Sequence, residues 1–527
     1  MKVTNILKTT LVLAGLLSLN TSCKKWLDVN KNPNELEQEK GTLELALPSA
    51  EYTISYVVGN KYAEIGGFLS QYYTQNPSST QYYDFDRYAF DANDADREWS
   101  QLYAGALKDL NFIVENGTAS GDSNYVAAAK ILQAYTFQLV SDVHGDVPFS
   151  EALLAQSGNI APHYDAQSIV YDGCLVLLND AINMISLSSA SHPGTDDVIF
   201  KGDMGLWLKF ANTLKLKLAV RQSGIRPAVT ASILAGLTSA DFFESGENAV
   251  ISFSNTKGNQ NPLYASIQGV GVDNNVASKT IGDYLNQSDT TKYVWYDTLI
   301  VGTDTTINEH RYDFLDTDPR SGLYFDPETF GAVGVNGIAQ GAAAESPGAF
   351  PANTPSSSMS ANVFGPTVPV VLMSDNESLL LQAEAQVNGW LSGGAADAQA
   401  NYETAIVNSL LQAGVPDTGS TSNANPDLIS NPIVRFLMRD YIVWPAAPQD
   451  QLERIATQKW VLMCGTQSME AWIESRRTGI PAFTESLASQ LPAGLLPQRI
   501  PYVSGEETSN PNFPGQVPIT TKMWWAQ

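Results

Sequence analysis

Apolar positions recur at steps of three and four along much of this chain, and the clearest run is residues 95–154. That run reads as two amphipathic helices in a hairpin. Trp99, Tyr103, Ala106, Leu110 and Ile113 share one face of the first helix, and Asn116-Gly117 offers the left-handed stop that helices favour. Ala128, Leu132, Tyr135 and Leu139 make the stripe of the second, the run of alanines at 127–129 lets another helix approach closely, and Gly145 and Pro148 end it. Such a pair cannot bury its apolar faces alone and needs neighbours of the same kind.

The rest of the chain supplies them. Residues 42–58 and 62–73 read as helices, the second richly aromatic. In 167–185, Val170, Cys174, Leu177, Ala181 and Ile185 fall on one face; Asp203 can cap the next helix, where Trp207, Phe210, Leu214 and Leu218 line up. A third pair opens on the capping box Ser374-Asp-Asn-Glu377, followed by Leu380, Ala383, Val387 and Trp390, with Tyr402, Ile406 and Leu410 marking its partner up to Gly414. The last pair is 452–464 and 467–478, closed by Gly479 with Pro481 beyond. Between the second and third pairs, residues 224–369 change character. Gly, Asn, Asp, Ser, Thr and Pro dominate, with β-prone runs at 249–253 and 293–301 and a stretch poor in charge at 331–359. Uncovered loops of this length usually carry function. The pattern predicts a mainly α protein: a tetratricopeptide-like stack of four helix-turn-helix pairs, with a large loop-rich insertion containing short strands.

Composition narrows the function. The 527 residues carry 30 Lys+Arg against 55 Asp+Glu, a formal charge of −25, which argues against nucleic acid and anionic lipid as partners. The four histidines are scattered, and Cys23, Cys174 and Cys464 form no C-x-x-C, so a zinc site of local ligand spacing is not expected. Cys174 and Cys464 lie on apolar helical faces and read as buried free thiols rather than a long-range disulfide.

Residues 1–22 hold Lys2, Lys8, a short apolar run and then small polar residues before Cys23, the plan of an export signal. Cys23 directly after Thr21-Ser22 resembles a lipobox in which the cysteine is acylated, although Asn20 stands where bacterial lipoboxes carry Leu. The alternative is an ordinary secretory signal with Cys23 incidental. No later stretch reads as long and apolar enough to cross a membrane, which leaves the lipid as the anchor. Residues 23–34, CKKWLDVNKNPN, read as an extended tether.

That tether resembles the start of SusD/RagB-type outer-membrane nutrient-binding lipoproteins, and further blocks agree. Gly145-Asp-Val-Pro-Phe-Ser-Glu-Ala-Leu153 resembles the family's GDVPYSEAL segment, with Phe149 for Tyr. The stretch from Phe210 to Arg221 resembles KFANSLKLRLAMR. Trp472-Ile-Glu-Ser-Arg-Arg-Thr-Gly-Ile-Pro481 resembles WxExRRTGYP with Ile480 for Tyr, and Gln498-Arg-Ile-Pro-Tyr502 with Glu506 and Asn510 resembles RIPYPxxExxxN with Val503 for Pro. The resemblance implies a signal over 1–22, a tether over 23–40 and a single SusD-like domain over 41–527, with helical pairs at about 95–222 and 374–480 and an insertion at about 223–370. It also implies a cell-surface lipoprotein of the outer membrane of a Gram-negative bacterium. Such a protein binds a nutrient, here expected to be a glycan, and delivers it to a SusC-like TonB-dependent transporter.

Catalytic chemistry is not legible. No G-x-S-x-G elbow, phosphate loop or H-E-x-x-H is present, and Gly269-Val-Gly271 lacks the third glycine of a dinucleotide fingerprint. No enzyme activity and no cofactor are expected. The acidic run 91–96 superficially resembles a calcium loop, but a helix N-terminus before Trp99 accounts for it better. Arg476-Arg477 could meet an anion, yet cations at a helix C-terminus that pair with acids such as Glu474 are the plainer reading. Two other classes stay open: a surface glycoside hydrolase, which needs a carboxylate pair in a cleft, and a helical-repeat scaffold that binds only protein. The candidate ligand residues are aromatics without a helical period, Tyr82, Tyr83, Trp295 and Tyr296, placed in polar loops. Asp84 and Asn275 join them as hydrogen-bonding groups for hydroxyls.

Overall fold

The computed structural model describes residues 41–526 apart from 188–191, 269–273, 288–292, 302–303, 313–316, 327–333, 346–353 and 420–430. Cys23, with the signal and tether, lies outside the described residues.

The chain enters on α1 (Leu43–Val57), runs through a π-helical turn Val58–Tyr62 into α2 (Ala63–Leu69), and turns into a short strand β1 (Tyr73–Gln75). Gly66 is required where α2 crosses the segment at Met469, because a Cβ there would overlap the Met469 backbone. The first pair is α3 (Lys108–Ser120), led in by Asp96–Ser100 and a π-helical stretch Gln101–Leu107, and α4 (Ser123–His144). Trp99, Ala106, Leu110 and Ile113 are buried as the stripe requires. The stop is not Asn116-Gly117. The helix runs on to Ser120 and ends at Gly121, whose φ of 86° is the left-handed conformation. Gly117 is there for space: a Cβ would come within 2.8 Å of Val126 on α4.

The second pair is α5 (Gln167–Leu187) and α6 (Met204–Arg221), the latter capped by Asp203, which accepts from the backbone N–H of Gly205 and Leu206 at 2.9 and 3.2 Å. Over 167–185, α5 has a mean hydropathy of 1.3, long and apolar enough by composition to cross a membrane, contrary to the expectation from the sequence. It is instead the outer helix of its pair. Val170, Cys174 and Ala181 pack inward, while Asp172 and Asp180 pair with Arg226 and Lys130 at 2.7 Å.

The excursion opens with a helix the sequence pattern missed, α7 (Pro227–Leu234), and holds β2 (Ala249–Ile251), β3 (Asn275–Ala277), β4 (Tyr293–Val301), β5 (Asp304–Tyr312) and, at its end, β6 (Val370–Met373). They make three antiparallel two-stranded sheets, β1–β3, β2–β6 and β4–β5. The third pair is α8 (Asp375–Val387) and α9 (Gly394–Gln412), and the fourth is α10 (Pro448–Leu462) and α11 (Ser468–Thr478). Trp390 lies beyond the end of α8 rather than on it. At the head of α8 half of the capping box forms: Ser374 accepts from the Glu377 N–H at 3.1 Å. The Glu377 carboxylate is drawn inward instead, to Lys217 at 2.6 Å and to the Gln467 amide at 2.6 Å.

That inward turn belongs to a buried ionic network that ties all four pairs together. Arg221 of α6 meets Asp142 of α4 at 2.6 Å and Glu474 of α11 at 2.9 Å, and also pairs with Glu470. Lys217 adds Glu470 at 3.4 Å, and Lys459 of α10 meets Glu474 at 2.6 Å. Arg477 bridges Glu474 and Glu384 of α8 at 2.8 and 2.7 Å. Asp142 further accepts from Tyr171 of α5 at 2.6 Å and from the Trp525 indole at 2.8 Å. Burial pushes Glu474 toward its neutral form, but Arg477, Lys459 and Arg221 outweigh it and hold the carboxyl well below its usual range. Arg477 thus pairs with Glu474 as the sequence suggested. Arg476 does otherwise: its guanidinium lies 3.6 Å from the Trp472 ring centroid and donates to the Asp142 carbonyl at 2.8 Å. Cys174 and Cys464 are free and buried.

Because breaking a buried pair strands a charge, Arg221→Met leaves three carboxylates without their shared cation and is expected to destabilise the fold by about 3–5 kcal/mol. Chemical denaturation of the mature protein checks this; a loss below about 1 kcal/mol means the network is not structural.

Candidate functional site

The segment after β1 and the insertion meet at one surface. β1 pairs with β3 so that Tyr73, Thr74 and Gln75 face Ala277, Val276 and Asn275. Gln75 organises the chain on either side of it: its Nε2 donates to the carbonyls of Asn76 and Asn274 at 3.0 and 3.1 Å, and its Oε1 accepts the Tyr82 N–H at 2.6 Å. The loop between is a side-chain-stabilised turn, with Asn76 Oδ1 accepting from Ser78 N–H at 2.9 Å. A one-turn helix, Tyr83–Asp86, comes next.

This geometry brings Tyr82 and Asn275 to Gln75, with Tyr83 and Asp84 following Tyr82 in the chain, but not all take the role expected. Tyr82 is 8% exposed. Its ring stacks on Phe85 at 5.8 Å and leans on Phe68 at 5.6 Å, and the ladder continues from Phe85 to Phe90 at 5.4 Å. The missing helical period there reflects core packing across a loop, so Tyr82 has no free face for a ligand. Tyr83 is half-buried and Asp84 is exposed, its carboxylate held by Arg87 one turn on. Asn275 is not in a loop. It sits in β3, 3% exposed, and among the described residues neither atom of its carboxamide has a hydrogen-bond partner. The neighbouring Asn274 Nδ2 and the Gln340 Oε1 are likewise buried, with no partner among the described residues. Each buried amide atom without a partner costs free energy, so such a group needs a physical reason to persist. Trp295 and Tyr296 lie in β4, not in polar loops. Their backbones register with His310 and Glu309 of β5, in a two-stranded sheet separate from β1–β3.

Two residues at this surface escaped the sequence reading. Gln71 is fully buried, accepts from Thr280 Oγ1 at 2.6 Å and donates to the Thr484 carbonyl at 2.6 Å, so it ties α2's end to the insertion and to the C-terminal region. Asp86, also fully buried, accepts from Thr74 at 3.1 Å, from Gln340 at 2.5 Å and from the Gly341 N–H at 2.9 Å. Burial pushes the Asp86 carboxyl up to about 7, those hydrogen bonds only partly opposing it. Both are polar residues inside aromatic runs, the one signal that could have marked them. In the acidic run, Asp94 accepts the Asp91 N–H at 2.8 Å and Asp96 accepts the Gly505 N–H at 3.0 Å. A helix does begin at Asp96, yet its acids bind turn and C-terminal amides rather than capping it. Among the described residues no group of three His, Cys, Asp or Glu side chains could hold a metal ion.

A family model described as "Starch-binding associating with outer membrane" matches residues 33–503. The chain belongs to the SusD-like family. This is a family of carbohydrate-binding proteins associated with the outer membrane, not of enzymes. Solved structures share the helical architecture. A chitin-binding protein superposes with a TM-score of 0.70 at 23% identity, covering 92% of this chain and 100% of that one. A SusD homolog from Bacteroides vulgatus gives 0.66 at 22%, covering 89% and 92%, and a chitin-binding SusD homolog from Flavobacterium johnsoniae gives 0.68 at 20%, covering 92% and 98%. Among curated proteins none matches the chain.

In this SusD-like chain Asp86 pins the insertion beside the surface around Gln75, and its protonation should be readable. The folded carboxyl titrates near 7 and the unfolded one near its ordinary 3.8. As pH rises through that window the unfolded chain gives up its proton while the fold keeps it, so wild type loses stability. Relative to Asp86→Asn it should fall by about 1.4 kcal/mol per pH unit, levelling above 7. Denaturant curves of both proteins at pH 4.5 and 7.0 measure the difference; a constant gap means Asp86 is ionised throughout.

Proposed function

We propose that this SusD-like chain is a lipid-anchored surface protein that binds an oligosaccharide and delivers it to a SusC-like TonB-dependent transporter of the outer membrane. The observation that carries the reading is the family match over residues 33–503. The export signal ending at Cys23 supports the anchor. Binding without turnover accords with the family, and the acidic surface gives no footing for nucleic acid.

For the ligand site we favour the surface around Gln75. Tyr83 offers a half-exposed ring and Asp84 an exposed carboxylate, and behind the surface Asn275 and Asn274 hold buried amide atoms with no partner among the described residues. Sugar rings present polarised C–H faces that stack on aromatics, while their hydroxyls need both donors and acceptors. Trp295 and Tyr296 in the β4–β5 hairpin remain candidates on the strength of their chemistry. The first probes are starch- and chitin-derived oligosaccharides, the substances named by the family description and by two of the similar structures.

Calorimetry with the oligosaccharide that binds tests the site. Each stacking ring contributes about 0.5–1.5 kcal/mol. Tyr83→Ala and Trp295→Ala should therefore weaken affinity several-fold with melting temperature nearly unchanged. Intact affinity in both, or parallel loss of stability, makes these rings structural.

Fractionation tests the anchor and the partner together. Cys23→Ala should appear in the soluble fraction, while wild type extracted in mild detergent should bring a large β-barrel with it. Membrane association of the variant through a salt wash, or wild type alone in several detergents, contradicts the proposal.

A further inference from the structure

α5 and α6 of the second pair, together with α7, line an open groove that the proposed glycan surface does not use. It lies between α5, α6 and α7, has a volume of about 420 Å³, and is walled by Leu175, Val229 and Ile233, with Asn179 and Ser232 as polar lining. That volume is within the roughly 300–1,000 Å³ range of small-molecule sites. One charge enters it, Lys215 of α6.

Lys215 is exceptional on its helix. The other three cations of α6 all have carboxylate partners: Lys209 meets Glu247 at 2.8 Å, Lys217 meets Glu377 at 2.6 Å, and Arg221 meets Asp142 at 2.6 Å. The acids nearest in sequence on α5 are also taken, Asp172 by Arg226 and Asp180 by Lys130. Burial alone perturbs Lys215, lowering its pKa, with no carboxylate among the described residues acting on it. A chain with 55 acids and 30 bases thus leaves one half-buried ammonium in an apolar concavity without a counter-ion among the described residues. A partly desolvated charge without a partner is unfavourable, and an anion brought to it recovers that cost.

We infer that the α5–α6–α7 groove is a second ligand site, for a small carboxylate with an apolar body: the carboxylate on Lys215, the body against Leu175, Val229 and Ile233. The carboxyl group can come from an alkanoate, or from an acidic sugar whose C–H face serves as the apolar body. The site is built on helices other than the elements carrying Tyr83 and Asn275, and it stands whether or not the glycan proposal does.

The test uses the mature wild-type protein with two probe pairs, hexanoate with hexanol and methyl glucuronide with methyl glucoside, titrated by NMR. At least one carboxylate should bind saturably and at least tenfold more tightly than its neutral counterpart. Which one does so identifies the source of the carboxyl group. Lys215→Met should cost tenfold or more in affinity, Lys215→Arg should retain most of it, and Ser232→Trp should block the groove with Lys215 intact. Melting temperatures of all three variants should match wild type, because Lys215 has no described partner to lose and Ser232 is exposed. Neutral and charged probes binding alike, undiminished binding in Lys215→Met, or no saturable binding of either carboxylate up to 10 mM overturns the inference.

Discussion

The fold depends on one buried set of charges. A helical-repeat stack is ordinarily held by apolar stripes, and here those stripes are present on every pair. What decides how the pairs sit on one another is the network centred on Arg221 and Glu474, because it needs α4, α6, α8, α10 and α11 at hydrogen-bond distance at the same time. Dispersion between stripes tolerates sliding by a fraction of a helical turn; a desolvated guanidinium between three carboxylates does not. The C-terminal Trp525 donates into the same network through Asp142, so the end of the chain is tied to its first repeat.

A second constraint acts on the insertion. The insertion is long and irregular, and it is fastened to the N-terminal segment by a three-residue ladder and by two buried polar side chains, Gln71 and Asp86. These fastenings hold the segments that carry Tyr83, Asp84, Asn274 and Asn275 in one place, while Ile281, Tyr284, Leu285, Leu323 and Tyr324 of the insertion pack into one apolar cluster with Trp460 and Val461 of α10. A rigid helical layer with an insertion fastened to it by a short ladder, buried polar side chains and a shared apolar cluster allows the exposed loops to change in sequence while the scaffold stays. The SusD-like structures compared with this chain share its architecture at 20–23% identity, as that arrangement permits.

Much of this was legible beforehand. Helical periodicity identified all four pairs, and the caps at Asp203 and Ser374 were found where their side-chain chemistry placed them. These are local properties: a stripe of period 3.6 and a hydroxyl or carboxylate ahead of it act within a few residues of themselves. The β-prone runs at 249–253 and 293–301 contained strands for the same reason. The motif order from Cys23 to Asn510 was enough to indicate the family to which the chain belongs.

What sequence alone could not decide was every outcome that depends on a distant partner. Gly117 looked like a stop and is instead a point of contact with Val126, because only packing reveals which glycine needs φ and which needs space. Tyr82 looked free because it has no period; it is buried because α2 brings Phe68 against both it and its neighbour Phe85. Glu377 was read as half of a capping box, and a lysine 160 positions earlier claimed its carboxylate. Lys215 and Lys217 are two residues apart on one helix. The helical turn points one at a ring of acids and the other into a groove with none, and that difference exists only in the folded chain.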